Sequence, residues 1–145
     1  MSNLPLAYVV PLLLVICANV AYHFAAKSTP PTLNPFLSLS VTYGIALLFS
    51  LILFALTATN SIAMELGKLK WSSLLMGLAV LSVEFGWIWI YRNGWEISKA
   101  SIIANIGVAI VLLVIGIMLF NEGISLKKMA GLLVCLVGVF LINAN

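Results

Sequence analysis

Apolar residues in this chain come in long unbroken runs, with polar residues confined mostly to the gaps between them. A helix needs about 20 apolar residues to cross roughly 30 Å of hydrocarbon. Five runs meet or approach that length, at 4–26, 35–56, 71–91, 100–120 and 126–142. The gap "KSTPPTLNP" holds three prolines, which forbid one continuous helix through the first two runs. The fifth run is short, and Lys127 and Lys128 blur its start; both side chains are long enough to snorkel to the interface. Trp71, Tyr91 and Trp95 fall at run ends, where an aromatic belt belongs. In the longest gap, "TATNSIAMELGKLK", Ile62, Leu66 and Leu69 follow helical spacing and predict a short interfacial helix. The pattern therefore predicts an all-α integral membrane protein with five transmembrane helices.

Composition agrees. Of 145 residues, 63% are hydrophobic and 8% charged, against about 25% charged in soluble domains. Mean hydropathy is +1.21. The whole chain reads as one transmembrane domain, with no room for a separate soluble one. Residues 4–26 lack the basic start of a signal peptide and exceed a typical signal core, so they read as a retained helix. The seven basic residues are scattered singly or in pairs and suit lipid headgroups rather than nucleic acid.

Five spans put the termini on opposite faces. Lys68, Lys70, Lys127 and Lys128 then share the N-terminal side, and Lys27, Arg92 and Lys99 the other, which is 4 against 3. So small a bias leaves two readings: one weakly favoured orientation, or insertion both ways. Cys17 and Cys135 both lie inside apolar runs, without a CxxC or Cys/His cluster. They support no disulfide framework, metal site or cofactor. No Ser/His/Asp or Cys/His constellation supports an enzyme.

One position breaks the apolar pattern. In "VLSVEFGWIWIYRNGWE", Glu84 lies about 4 Å from the centre of its span and about 12 Å from Arg92, at 1.5 Å per residue. An ionisable group there costs about 3 kcal/mol on insertion scales. The nine Leu, Ile, Val and Phe residues between Leu74 and Ile90 return about 3–5 kcal/mol. The helix inserts, but Glu84 has to face protein or water. Gly77, Leu81, Trp87, Ile88 and Tyr91 share its face by spacing, and Trp89 points away to lipid. An acid walled by Trp87 and Tyr91 suits a cation, by charge and by cation–π attraction. Proton and cation competing for one carboxylate is the minimal logic of antiport. The alternative is a neutral Glu84 hydrogen-bonded between helices.

Further polar pairs fall on single helix faces: Asn19 with His23, Ser38 with Thr42, and Ser101 with Asn105. Each either lines the same cavity or makes ordinary interhelical bonds, worth about 0.6 kcal/mol on average. His23, beside Lys27 near its span end, also reads as interfacial. Glu122 reads as a helix-end or loop residue.

The C-terminal third reads "SKASIIANIGVAIVLLVIGIMLFNEGISLKKMAGLLVCLVGVFLIN". It resembles the second half of one repeat of the drug/metabolite transporter superfamily, of the EamA-like kind. The points of resemblance are Ala100 and Ser101 opening the fourth helix, the turn at Asn121-Glu122, and Gly131 and Gly138 followed by Val139 in the last helix. The resemblance covers Ser98–Asn143 well, Trp71–Arg92 moderately and the first two helices in outline.

Such transporters often carry two five-helix repeats of opposite orientation. The resemblance thus implies one repeat of an inverted-repeat transporter: a half-size secondary transporter. It would work as an antiparallel homodimer or with a half-size homologue, moving a small organic cation or metabolite. The expected location is a cell membrane of the bacterial or archaeal plasma-membrane kind.

The last helix also resembles that of small multidrug resistance proteins, which packs on its dimer partner. Gly131, Cys135 and Gly138, at i, i+4 and i+7, would form that dimer face, or else pack within the monomer. In "GVAIV", Gly107 and Val108 match those proteins' kink region and Ala109 departs, which marks Gly107 as a candidate hinge. "ANVAYHFAAK" puts Asn19 where those proteins carry their essential acid, so Glu84 on the third span would be a departure. The expected substrate and proton site is Glu84, Trp87 and Tyr91, with Asn105, Ser101 and Asn19. Two rivals stand: a subunit of a heterodimeric flippase for lipid-linked sugars, and a non-transporting membrane scaffold.

Overall fold

The computed structural model describes residues 6–121, 123 and 125–143. These residues form six helices: α1 (Leu6–Ser28), α2 (Pro35–Thr57), α3 (Ile62–Leu66), α4 (Trp71–Arg92), α5 (Ile97–Phe120) and α6 (Leu126–Asn143). No strand occurs among the described residues. Glu122 lies outside them.

Four helices, α1, α2, α4 and α5, are long and apolar enough to cross a membrane; the apolar stretch of α6, Met129–Ile142, is shorter. In each of the four, only 6% of the most apolar stretch is buried. Such continuous apolar surface is not sustained in water, and lipid is its solvent. The chain is a multi-pass membrane protein of the all-α class.

The helix ends follow local chemistry. α1 runs two residues past the predicted end because Ser28 and Thr29 turn their hydroxyls back to the carbonyls of Phe24 and Ala25. Pro35 then opens α2 at a position where a missing N–H costs nothing. Asn34 caps that helix, its Oδ1 accepting from the Phe36 and Leu37 N–H groups at 2.9 and 3.4 Å. α5 starts three residues earlier than predicted, at Ile97, with Lys99 3.7 Å from Glu96 across the first turn. The left-handed Asn121 (φ 50°) closes α5, and Gly94 (φ 88°) supplies the turn after α4.

The short α3 confirms a helix in the longest gap, with Leu69 beyond its end. Lys68 and Asn60 both donate to Glu65 Oε1, at 2.7 and 2.8 Å. The Lys68 bond first, then that from Asn60, holds this carboxyl below its ordinary range.

The chain divides into two compact units, Met1–Asn93 and Gly94–Asn145. In the first, α4 packs against both α1 and α2; in the second, α5 packs against α6. Phe36 on α2 stacks on Phe85 of α4 at 5.1 Å, and Phe85 leans on Trp89. Trp89 itself is mostly exposed, as its spacing predicted. At the end of α4, Arg92 Nη2 donates to the Pro30 and Leu33 carbonyls, clasping the α1–α2 loop.

Candidate functional site

Helical spacing on three helices of the first unit brings the polar side chains together. α4 offers Glu84, Trp87, Ile88 and Tyr91, at i, i+3, i+4 and i+7. Ile88 and Tyr91 are buried on this face. α1 offers Asn19, Tyr22 and His23, and α2 offers Ser38, Leu39, Thr42 and Tyr43.

Glu84 lies where two cavities meet. One, of about 240 Å³, lies among α1, α2 and α4 and is lined by Tyr22, Ala25, Ala26, Thr29, Ser38, Leu39, Thr42, Glu84 and Ile88. The other, of about 290 Å³, is lined from α1 and α4 by Asn19, Tyr22, Ala79, Val80, Val83, Glu84 and Trp87. Tyr22 and Glu84 belong to both.

Three oxygens in this region are buried without a hydrogen-bond partner: Glu84 Oε2 and the hydroxyls of Tyr22 and Tyr43. Both hydroxyls lie within electrostatic reach of the Glu84 carboxyl, and Tyr43 approaches it most directly. That approach stops short of regular hydrogen-bond geometry. A buried carboxylate oxygen left unpaired is costly. Either a proton or a bound cation relieves that cost.

Toward the end of α4 the surroundings change. His23, 8% exposed, shares a 2.9 Å hydrogen bond through Nδ1 with the Tyr91 hydroxyl. Trp87 meets His23 in a T-shaped contact at 4.5 Å and stacks on Tyr91 at 5.6 Å. Lys27 Nζ lies 5.5 Å over the Tyr91 ring. Tyr91 thus already holds a cation and a histidine of its own chain, so it supports the site from behind while Trp87 reaches the cavity. A Tyr91→Phe variant strands a buried His23 nitrogen. It should lose about 1–3 kcal/mol of stability, read as a lowered Tm in detergent.

Asn19 reaches the second cavity, its Nδ2 donating to the Val15 carbonyl at 3.0 Å. Its amide oxygen remains to accept. Ser101 and Asn105 belong to the second unit. There Ser101 donates to the Ser98 carbonyl at 3.2 Å, and Asn105 is exposed. A Cβ added at Gly107, Gly131 or Gly138 would meet nothing within 4 Å. Close packing within the described chain therefore does not explain these glycines. Cys135 is exposed and lines, with Leu132, Leu112 and Gly116, a cavity of about 600 Å³ between α5 and α6.

Tyr22 and Tyr43 are the members that neither spacing from Glu84 nor the pairing of Asn19 with His23 named. A signal was present for Tyr22, which lies three residues after Asn19 and so shares its face of α1. For Tyr43, only the pairing of α2 with α4 reveals its role.

No family model matches the chain, and neither a curated protein nor a solved structure matches it.

Proposed function

We propose that this chain is a half-size secondary transporter for a small organic cation, with α6 as its fifth span. The observation that carries this reading is Glu84, an acid near mid-span whose Oε2 is buried and unpaired at the junction of two cavities. Asn19 and Trp87 line the cavity in which an organic cation would meet that charge, and Trp87 adds cation–π attraction. Release of the cation leaves a carboxylate that takes up a proton, so the two exchange at one group.

A drug/metabolite transporter repeat working as an antiparallel dimer fits this reading. The basic residues divide 4 against 3, which permits insertion both ways. Gly131 and Gly138 leave an open face on α6 where a partner helix can approach closely. Transporters commonly place their site between such inverted repeats.

The test is purified protein in liposomes that hold a pH-sensitive dye. Adding a transported cation outside should drive protons out and raise the internal pH. A broad panel of cations that changes neither internal pH nor tryptophan fluorescence would refute transport and favour a scaffold.

A further inference from the structure

The two cavities at Glu84 differ in chemistry. The one facing α2 has a single aromatic residue in its lining, Tyr22, and its polar groups are oxygens: those of Glu84, Thr29, Ser38, Thr42 and Tyr22. Two of those hydroxyls have already spent their protons. Thr29 Oγ1 donates to the Ala25 carbonyl at 3.2 Å, and Thr42 Oγ1 donates to the Ser38 carbonyl at 3.1 Å. What they offer the cavity is lone pairs. With the carboxylate, the lining is rich in acceptors and carries one negative charge.

We propose that this cavity is a second cation site, built for an alkali-metal ion. Hard oxygen donors select hard cations, whereas softer transition metals favour His and Cys, and neither residue lines the cavity. One carboxylate balances one positive charge. At about 240 Å³ the space equals roughly eight waters at liquid density. It has room for an alkali ion with part of its hydration shell. Thr29 stands just past the end of α1, so the cavity reaches from mid-span toward the loop that Arg92 clasps. The inference rests on Glu84 as the exchanging charge of the transport reading and adds a coupling ion to it. An organic cation on one side and an alkali ion on the other neutralise the same carboxylate, so each displaces the other.

The experiment compares the purified full chain in sodium, potassium and N-methylglucamine chlorides at one ionic strength. It reads the Tm together with saturable binding of radiolabelled sodium. A ligand that binds only the folded state, at about a hundredfold over its dissociation constant, raises the Tm by about 5 °C or more. Such a rise in sodium, in potassium or in both supports the proposal; equal Tm values in all three salts, with no saturable sodium binding, overturn it. In a Ser38→Ala/Thr42→Val double variant, sodium affinity should fall at least about tenfold, as expected for lost oxygen ligands. Undiminished sodium binding in that variant overturns the location. Should the double variant fail to fold, Tyr22→Phe and Thr29→Val separately carry the same readout. Organic-cation exchange with no alkali response sinks this inference alone. An alkali response with no organic-cation exchange sinks the transport reading alone.

Discussion

Glu84→Gln should abolish proton release on cation addition. The amide is nearly isosteric and does not titrate, so no proton remains to exchange. Glu84 is the only acidic residue within the four long helices, and no neighbouring carboxylate can substitute. Losing one charged hydrogen bond costs about 1.5–3 kcal/mol, which weakens organic-cation binding about 10- to 100-fold. The variant should still fold, because the amide has nearly the same volume and carries no charge to bury. A Tm equal to or above that of the parent, with flat internal pH, is the expected pair of results. Glu84→Asp keeps the charge one methylene further back, and partial proton release from it would separate charge from shape. Full exchange by Glu84→Gln would remove Glu84 from the mechanism.

Arg92→Leu should be the most destabilising single substitution at the membrane face. Its guanidinium is the donor that ties the Pro30 and Leu33 carbonyls to the end of α4. Proline-rich backbone has few N–H groups of its own to satisfy those carbonyls, although Leu33 N–H still reaches the Pro30 oxygen at 3.1 Å. Bonds from a charged donor are worth about 1.5–3 kcal/mol each; with one carbonyl retaining a partner, the net loss is about 2–3 kcal/mol. The measurements are thermal unfolding in detergent and the rate of proteolytic nicking between residues 27 and 35. Arg92→Lys should recover at most one of the two bonds, since both come from Nη2 and the lysine nitrogen ends one bond short of that position. A loss below about 0.5 kcal/mol, in the range of ordinary surface substitutions, would show that the loop holds itself.

Much of this architecture could be read from the order of residues. Run length and proline placement set the four long helices, because bilayer thickness and the missing proline N–H act locally. Glu84 stood out for a similarly local reason, the cost of a charge at that depth. What escaped was partner choice between helices. His23 read equally as cavity-lining, interhelically bonded or interfacial; it is buried and bonded between helices, because Tyr91 on α4 offers it a hydroxyl. Tyr91 looked like a cation wall from its spacing to Glu84, yet Lys27 from α1 lies over its ring. Both outcomes depend on which face of α1 meets α4, a rotation that an almost uniformly apolar helix does not encode. The acceptor character of the α2-side cavity was hidden for another reason. Whether a threonine hydroxyl points its proton inward depends on its bond to the carbonyl four residues back, not on residue type.

The scarcity of buried side chains has a thermal consequence. Among the described residues, few apolar groups leave lipid or detergent for a protein core; Leu39, Ile88 and Ala100 do so. The heat-capacity change of unfolding in water comes mainly from apolar surface newly exposed to water. Here most of that surface stays solvated by hydrocarbon as the helices separate, so enthalpy and entropy should vary little with temperature. The stability curve should be close to a straight line, with no cold-denaturing limb. Its slope would then be set by a few polar clasps and ring contacts, those of Arg92, His23 and Phe36 among them, rather than by the hydrophobic effect.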